Sequence, residues 1–581
     1  MNALSQFEEI WVADFEFRCP DGELPTVHCM VAREVISERL IRLFGDDLTK
    51  FSQAPFDIGP RALFVAFFAS AEFGCFLELG WALPANTLDL YVEFRRLRCG
   101  TGVGKRGGLV AALDHFNLSQ HAPSGKQEWR DLAMRGGPYT SAEEQGLLDY
   151  CHEDVDATCQ LFWKMECDIE IPHALIRGRY MQSVAKIERN GVPIDIAILN
   201  ELIDQSDTIK LELISKADVN GVYTDGSFSE RRFEKLLALN QIPWPRLKSG
   251  RLQLTDEAFR QQAKVYPKII APYHELRAAI SQMKLSSITV GRDGKNRALL
   301  SPFGSDTGRN QPSTSKFIFG PSVWLRGLIK PPKGQFIAYI DWAQQELGIA
   351  AALSGDRHMQ EAYMSGDPYL KFAQMAGAVP IGATKDTHPN ERAAYKVCML
   401  AVQYGMGGDA LADQLGKTRH DANQLLRAHK DTFPQYWEWN SRILTQGFGN
   451  GKLATTFGWS RVVLPDANPA SVANFPVQAN GAEMLRLAIT YMHDKGVQVC
   501  APIHDAVLVE GSLEDTEDIV SRTKACMREA SNVILNGFEL ETDVKVVTYP
   551  NRYMDEDRGA TFWNIVMELI NRLDCQFQTT D

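Results

Sequence analysis

The sequence predicts an α/β protein of several domains. At 581 residues the chain is too long for one hydrophobic core, so we expect three or four domains. Short apolar runs at 9–17 and 62–68 have the length and composition of buried strands. The segments 140–166 and 356–450 instead have helical patterns, and the first of them opens at Ser141 with an acidic first turn. This mixture of strand and helix patterns gives the α/β class.

The composition is that of a globular protein with reduced cysteines. Hydrophobic residues make up 45% of the chain and charged residues 23%, and the 11 cysteines are scattered without a CxxC pair. This pattern argues against disulfides and zinc and favours a cytoplasmic location. No apolar run approaches the ~18 residues that span a membrane, so no membrane partner is expected. The net charge of −12 counts mildly against nucleic-acid binding, although a local basic cleft would be compatible with it.

One helical segment carries an unusual set of side chains. In ERAAYKVCMLAVQYG, the residues Arg392, Lys396, Leu400 and Tyr404 follow one another at steps of four. In a helix they would line one face, because residues four apart are stacked neighbours. Two cations, an apolar side chain and an aromatic ring suit a ligand with an anionic tail, a sugar and a flat base. For this segment alone, an amphipathic helix with a cationic edge remains the favoured alternative.

Two aspartates in the C-terminal half lie at the ends of apolar strand patterns. Asp341 belongs to QFIAYIDWAQ, and Asp505 lies in a tight turn within VQVCAPIHDAVLVEG. A carboxylate in such a place is costly unless it meets a cation or another partner. Brought together, the two would suit Mg²⁺, and a pair of ions ~3.5–4 Å apart can clamp an in-line phosphoryl displacement. Taken singly, either aspartate is better explained as a turn or cap residue.

The order of these patterns resembles that of a known enzyme family. DWAQQEL, then RxxxKxxxLxxxYG, then HD resemble motifs A, B and C of family A DNA polymerases, the bacterial polymerase I type. SVAKIERNGVPID, TGR, FGWSRVVLPD and NFPVQANGAEMLRLA resemble further segments of the family, so the resemblance covers nearly the whole chain. It implies template-directed addition of dNTPs to a primer 3′-end, with primer–template DNA as partner and two Mg²⁺ ions in each active site.

The resemblance also gives expected roles to individual residues. Asp341 and Asp505 would hold the two Mg²⁺ ions, and Arg392 and Lys396 would grip the phosphates of the incoming nucleotide. Glu346 would block a ribose 2′-hydroxyl, so that deoxynucleotides are preferred. The other expected contacts are Gln344, Leu400 and Tyr404 with the incoming nucleotide or the templating position, and Arg309, Asn474, Gln478 and His504 with the primer–template near its end, where minor-groove acceptors are shared by all base pairs.

Several positions depart from the family pattern or are open to another interpretation. Ala506 stands where a glutamate commonly follows the His-Asp pair, so metal binding would depend on two aspartates. Ala470 stands where an arginine is usual, which leaves one template contact open, and Leu400 stands where an aromatic residue is most frequent. Arg277 and Lys284 are further candidates for DNA binding, with a solvated surface as an equal alternative.

A second acidic pattern lies in the first 170 residues. Asp14 and Glu16 in VADFEF would face the same side of a strand, because strand side chains alternate. Tyr150 and Asp154 would share one face of a helix. Together they resemble a DEDDy 3′–5′ exonuclease, with a catalytic tyrosine and metal-binding carboxylates. The aspartate of the second exonuclease motif is absent, and Glu72 in ASAEFGCFLELGW is the nearest candidate for its place.

The full prediction is an RNase H-like DEDD exonuclease domain followed by a right-hand polymerase. The domains would be the exonuclease (1–170), the thumb (171–300), the palm (301–355 and 470–581) and the fingers (356–469), without a 5′ flap-nuclease domain. Such a compact form suggests a bacteriophage or related mobile element, which would place the protein in the host cytoplasm. A processivity factor or a replication helicase or primase remains an open partner.

Two alternatives remain. The first is a polymerase whose exonuclease domain is inactive and structural, because the second-motif aspartate is missing. The second is a DEDD nuclease whose C-terminal part only binds nucleic acid, which would require Asp341 or Asp505 to be non-catalytic. Glu346 and the lack of a recognisable promoter-binding region argue against the related single-subunit RNA polymerases.

Overall fold

The computed structural model describes residues 3–102, 107–122, 125–281, 283, 285, 287–320 and 322–578. Within these ranges, no helix has both the length and the apolar character needed to cross a membrane.

A five-stranded sheet organises the N-terminal part. Its elements are β1 (Glu9–Arg18), β2 (Thr26–Glu34), β3 (Leu40–Phe44), α1 (Asp46–Thr49), β4 (Ala62–Ala66), α2 (Ser70–Glu78), β5 (Thr87–Asp89), α3 (Leu90–Arg98), α4 (Leu109–His115), α5 (Lys126–Arg135) and α6 (Ser141–Met165). The strand order is β3-β2-β1-β4-β5, with β1 antiparallel to β2 and parallel to β4. Helix α6 packs on β1 and β2, which brings its buried face to the strand that carries the D-x-E pattern.

Both predicted strands of this region are present, and so is the helix. Helix α6 begins at Ser141, but its cap is the preceding residue, Thr140. Thr140 and Glu143 form a reciprocal capping box, in which each side chain accepts a hydrogen bond from the other residue's backbone N–H. The acidic first turn seen in the sequence is therefore part of the capping device.

The middle of the chain is mainly helical. Its elements are α7 (Ile171–Asn190), β6 (Val192–Pro193), α8 (Ile196–Asp204), α9 (Ser206–Ala217), β7 (Tyr223–Thr224), β8 (Ser227–Phe228), α10 (Glu230–Leu239), α11 (Asp256–Val265), α12 (Pro267–Ser281) and β9 (Lys295–Asn296). Helix α7 packs against β5 and α2, and also against the C-terminal half. At Gly178 it lies so close to β5 that an added Cβ would stand 1.9 Å from the Thr87 carbonyl oxygen. This glycine permits the close contact between the N-terminal sheet and the rest of the chain.

A run of helices follows the first long strand of the C-terminal half. The elements are β10 (Gln335–Trp342), α13 (Gln345–Ser354), α14 (Arg357–Met364), α15 (Pro368–Met375), α16 (Pro389–Gln403), α17 (Gly408–Leu415), α18 (Arg419–Thr432), α19 (Pro434–Asn450), β11 (Lys452–Ala454) and β12 (Ser460–Val462). Helix α16 begins at the predicted proline and ends at Gln403, so Tyr404 follows the helix as its cap residue. The expected helical face is therefore one residue shorter than the sequence pattern suggests.

The chain ends in an antiparallel sheet covered by helices. The elements are α20 (Pro469–Asp494), β13 (Gln498–Ile503), β14 (Ala506–Ser512), α21 (Thr516–Ile534), β15 (Thr542–Thr548) and α22 (Ala560–Gln578). The strand order is β13-β14-β10-β15, so β10 lies between a neighbour from the predicted hairpin and β15. This four-stranded sheet carries both aspartates singled out in the C-terminal half. The α/β multidomain class is confirmed, whereas the domain boundaries remain predictions.

Candidate active site

Asp341 and Asp505 lie at the same end of the four-stranded sheet. Asp341 is the next-to-last residue of β10 and is paired with Ala506, the first residue of β14. Asp505 immediately precedes β14, in a turn where His504 adopts a left-handed φ of 54°. The Trp342 backbone N–H donates to the Asp505 carbonyl oxygen at 3.3 Å, which ties the turn to the strand end. The two carboxylates are thus placed side by side by backbone pairing.

The electrostatics of the pair are those of a site that would accept cations. Burial, and then the charges of Asp505 and Asp543, raise the pKa of Asp341 to about 6. Burial also raises the pKa of Asp505, while the charges of His504 and Arg309 act in the opposite direction. Mutual repulsion between partly buried carboxylates would be relieved by a divalent cation, and their oxygens are the hard ligands that Mg²⁺ prefers. The donor set therefore fits Mg²⁺.

Helix α16 presents the predicted cations on its accessible side. Both cations lie over one aromatic ring: the Arg392 guanidinium is 5.7 Å and the Lys396 ammonium 5.6 Å from the centre of the Tyr369 ring. Arg392 also donates to the Asp367 carboxylate. Leu400 is 37% exposed one turn further along. The structure thus brings these three predicted side chains onto one accessible face.

Glu346 connects the end of α16 to the loop that carries Arg309. Its carboxylate accepts a hydrogen bond from the Tyr404 hydroxyl at 2.9 Å and an ion pair from Arg309 at 3.4 Å. Gln344 lies two residues earlier in a left-handed conformation that starts α13. Burial and the neighbouring Glu346 raise the pKa of Tyr404 to about 12, so its hydroxyl remains a donor at neutral pH. The charge of Asp505 contributes to the same shift, which places this group beside the aspartates.

A cavity of about 800 Å³ opens next to this group. Arg309, Tyr404, Asn474 and Gln478 are among its lining residues, so the structure brings together residues from three widely separated parts of the sequence. His504 does not belong to that lining set and is exposed in its turn instead. Residues from the end of α3, in the N-terminal part of the chain, also line the cavity.

The cavity wall also contains arginines that no sequence pattern identified. Arg95 and Arg98 reach it from α3, and Arg95 donates to the Gly304 carbonyl oxygen at 2.7 Å. Arg461, in β12, donates to the Ser471 side chain at 2.9 Å, one residue from Ala470. An arginine thus lies close to Ala470, the position where the sequence lacks the usual cation. No local pattern identifies it, because the approach of 461 to 471 depends on the turn between them.

Arg277 and Lys284 are the two remaining predicted DNA contacts. Arg277 is partly buried, with its guanidinium 4.7 Å and 4.5 Å from the ring centres of Phe228 and Phe259. It also donates to the Leu254 carbonyl oxygen at 3.1 Å. The structure therefore shows Arg277 packed on these two rings, and its contact with DNA remains a prediction. Lys284 lies outside the described residues.

The acidic residues of the N-terminal sheet form a second compact group. Ligand atoms of Asp14, Glu16 and Asp154 all lie within 4.8 Å of one another. Burial, followed by the charges of Asp154 and Glu16, raises the pKa of Asp14 well above its usual value. Tyr150 lies one turn before Asp154 on α6, and burial followed by the Asp154 charge raises the pKa of its phenol. The strand and helix patterns thus converge on one group that could hold a divalent cation.

Glu72 lies near this group but is not one of the three acids whose ligand atoms lie within 4.8 Å of one another. The residue is only 4% exposed on α2, and its Oε2 atom has no hydrogen-bond partner among the described residues. Burial, followed by the charge of Asp14, raises its pKa well above the usual value. Asp89 is not a competing candidate, because its carboxylate already accepts hydrogen bonds from backbone N–H groups before α2 and at the start of α3. Glu72 is therefore the buried acid that faces Asp14.

Comparisons with known proteins agree with this architecture. Residues 313–550 match the model of DNA polymerase family A. The chain is 23% identical over 391 residues to a DNA polymerase I of Aquifex aeolicus, covering 65% of this chain and 67% of that protein. It is 25% identical over 540 residues to a DNA polymerase I of Chloroflexus aurantiacus, covering 86% of this chain and 55% of that protein. A third relative, a thermostable DNA polymerase I of Thermus thermophilus, is 25% identical over 382 residues, covering 60% of this chain and 44% of that protein.

The fold is also that of a solved polymerase. The structure described as the POL domain of Pol1 from M. smegmatis, in complex with DNA primer-template and dNTP, superimposes with a TM-score of 0.73. It covers 94% of this chain and 96% of that one, at 16% identity. The region that matches the model of DNA polymerase family A holds both aspartates of the four-stranded sheet and the accessible face of α16.

Proposed function

We propose that this chain is a DNA-directed DNA polymerase that extends a primer 3′-end with the dNTP complementary to the template. The observation that carries the proposal is the meeting of Asp341 and Asp505 at one end of the sheet, beside Glu346 and Tyr404. Carboxylates that are adjacent, partly buried and raised in pKa are suited to divalent metal ions. The resemblance to the family and the common fold support the same activity.

The acidic and basic residues of the site would have different roles. Asp341 and Asp505 would hold two Mg²⁺ ions, which when bound supply activation of the primer hydroxyl and neutralisation of the triphosphate charge. Arg392 and Lys396, on the accessible side of α16, would bind the triphosphate oxygens. Arg392 already shares its guanidinium with Asp367, which fixes its direction before a nucleotide arrives. The ring of Tyr369 beneath both cations limits their movement in the same way.

The DNA would lie along the cavity between the two halves of the chain. The M. smegmatis structure is described as a complex with primer-template and dNTP, and we extend this binding to the present chain. Arg309, Asn474 and Gln478 line the cavity together with the arginines of α3. Positive charges at the walls of a groove attract the phosphate backbone without regard to sequence, which a polymerase requires. A processivity factor, a helicase or primase partner and a cytoplasmic location remain predictions.

Primer extension by the purified chain tests the proposal. We expect wild-type protein to extend a labelled primer only with template, dNTPs and Mg²⁺ present. Asp341→Asn and Asp505→Asn should each abolish extension, because each removes a charged oxygen ligand from the pair. Asp515→Asn, at an exposed turn beyond β14, is the matched control and should leave extension unchanged. Near wild-type extension by either active-site variant would refute the assignment.

A second activity is supported by the group around Asp14. We propose that this group performs 3′–5′ exonuclease cleavage, with Asp14, Glu16 and Asp154 as metal ligands and Tyr150 orienting the attacking water. The compactness of the three carboxylates is the observation that carries it. Glu72 would serve as the fourth acid, since its unpaired buried oxygen faces the same group.

Degradation of a mismatched primer in the absence of dNTPs tests the second activity. Asp14→Ala should stop degradation and leave extension of a matched primer intact, because the two groups of carboxylates belong to different sheets. Glu72→Gln should slow degradation strongly, whereas Glu38→Gln on the exposed β2–β3 turn should not. If the wild-type protein extends primers but never degrades them, the N-terminal domain is structural and the alternative stated above holds.

A further inference from the structure

The end of α3 is joined to the C-terminal half of the chain beside the cavity. The Val462 backbone N–H donates to the Cys99 carbonyl oxygen at 2.8 Å. Arg95 donates to the Gly304 carbonyl oxygen at 2.7 Å. At Gly100 an added Cβ would stand 2.2 Å from the Val462 carbonyl oxygen, so a side chain there would push the two segments apart. The last turn of α3 therefore has a fixed position against β12 and against the loop that carries Arg309.

Positive charge is concentrated around this cavity. Among the described residues, its lining has one carboxylate, that of Asp306, and four arginines: Arg95, Arg98, Arg309 and Arg461. Arg95 and Arg461 donate to neutral oxygens, so these hydrogen bonds leave their charges uncompensated. Arg98 lies with its guanidinium 5.2 Å from the centre of the Phe94 ring, which holds it at the cavity wall. A basic cavity in a chain of net charge −12 indicates an anionic ligand.

The same cavity offers an accessible aromatic ring. Tyr404 is among its lining residues and is 53% exposed, and the Glu346 carboxylate holds the Tyr404 hydroxyl at 2.9 Å. Basic side chains along a groove, together with a ring on which bases can stack, are the usual means of binding single-stranded nucleic acid. The volume of about 800 Å³ lies in the range of pockets that hold one small molecule, so the cavity suits a short stretch of one strand and not a duplex.

We propose that the end of α3 binds the phosphates of the unpaired template strand next to the templating base, with Arg98 as the main contact. The N-terminal domain is then part of the template-binding surface of the polymerase, whether or not it cleaves DNA. The inference rests on the polymerase function proposed above. Tyr404 favours the template over an unpaired primer end, because it follows α16, whose cations would bind the incoming nucleotide that pairs with the template. Ala470 lines the same cavity, so the arginines of α3 and β12 would supply the charge that this position lacks.

DNA binding without divalent cations tests the inference, since the DNA is then neither extended nor cleaved. One labelled primer is annealed to templates whose 5′ overhang is a single nucleotide or about eight nucleotides, a typical single-strand site size, and fluorescence anisotropy gives both affinities. We expect wild-type protein to bind the long overhang at least about threefold tighter, as one net hydrogen bond to a phosphate gives. Arg98→Ala should lose most of this difference and lower the salt slope by about 0.7, the value for one single-strand phosphate contact. Arg98→Lys keeps the charge and should retain most of the difference.

Arg130→Ala is the matched control. It removes an exposed arginine of the same domain, on α5 and outside the set of residues that line the cavity. Its dependence on overhang length should equal that of wild type. Arg98→Ala should bind the single-nucleotide overhang as tightly as wild type, because only the unpaired strand reaches the end of α3. An equal loss of affinity for both overhangs would indicate a general effect on the protein and would overturn the inference.

A second set of duplexes distinguishes the template from the primer. These duplexes carry mismatched nucleotides at the primer 3′-end and a template overhang of a single nucleotide. If Arg98→Ala weakens binding of this set instead of the long template overhang, the cavity takes the primer end and the inference is wrong. The same dependence on template overhang in wild type and Arg98→Ala would also overturn it, while leaving the polymerase assignment intact. Failure of the proposed function has a different signature, because the wild-type protein would then extend no primer, whatever its affinity for the overhang.

Discussion

Replacing Glu346 by alanine should let the enzyme accept ribonucleotides. Glu346 would lie against the sugar 2′-carbon, so shortening it opens space for a hydroxyl. The same carboxylate holds the Tyr404 hydroxyl at 2.9 Å and pairs with Arg309 at 3.4 Å. The substitution therefore removes both the obstacle and the anchor of the aromatic ring.

The two effects have different sizes. A hydrogen bond to a charged group contributes about 1.5–3 kcal/mol, and about 1.4 kcal/mol corresponds to a factor of ten. Tyr404→Phe keeps the ring and loses only that bond, so the preference for dNTP over rNTP should fall by about tenfold to a hundredfold. In Glu346→Ala the steric obstacle disappears as well, and we expect a larger fall, of about a thousandfold.

Single-nucleotide extension at saturating Mg²⁺ measures kcat/KM for each dNTP and its matching rNTP. Glu361→Ala is the control, because Glu361 is an exposed acid on α14 that pairs with Lys371. Unaltered sugar discrimination in Glu346→Ala would refute the reasoning and show that another residue excludes the 2′-hydroxyl. A larger effect in Tyr404→Phe than in Glu346→Ala would reverse the assigned roles.

Three further predictions concern single side chains. Leu400→Tyr should increase incorporation of dideoxynucleotides roughly tenfold or more, because a phenol hydroxyl can replace the missing 3′-hydroxyl in a contact worth on the order of 1–3 kcal/mol. Chain termination at a fixed ddNTP:dNTP ratio measures this incorporation. Equal termination by the wild-type and variant proteins would contradict the prediction. Arg461→Ala should weaken primer–template binding several-fold and lower the salt dependence by about one ion, whereas Arg61→Ala, which pairs with Glu8 on the N-terminal surface, should not. His429 is 1% exposed and burial lowers its pKa to about 3, so it is neutral when folded and the unfolded chain binds the extra proton below pH ~6.5. Stability should fall as pH decreases through that window, and His429→Phe should reduce the slope by about 1.4 kcal/mol per pH unit between pH 6 and 4; equal slopes by chemical denaturation would contradict this.

The sequence predicted the elements that carry the chemistry because their signals are local. The apolar run before Asp341 and the turn before Asp505 each mark a strand end within ten residues. The D-x-E and Y-x3-D patterns state which side chains share a face of a strand or helix. For Tyr404 the local pattern extends too far, because the spacing of four predicts a helical residue where the helix has already ended at Gln403.

The remaining residues could not be predicted because their positions depend on long-range pairing. Asp543 becomes a neighbour of Asp341 only through the register of β15 with β10, and no local pattern around it distinguishes it from a surface acid. The surroundings of Arg277 also depend on the fold. The basic residues near it in the sequence predict a DNA contact, which remains untested, while its packing against Phe228 and Phe259 is visible only in the fold. Contacts between residues that are far apart in the sequence become visible only in the tertiary structure.

The most direct measurement of the central claim is a matrix of single-nucleotide extensions. Each of the four dNTPs is offered separately to the wild-type chain on primer–templates that differ only in the first templating base, with Mg²⁺ present. The account predicts addition of the complementary nucleotide on each template, little addition elsewhere, and none in Asp341→Asn. Absence of addition on all templates, or addition that does not follow the templating base, would contradict it.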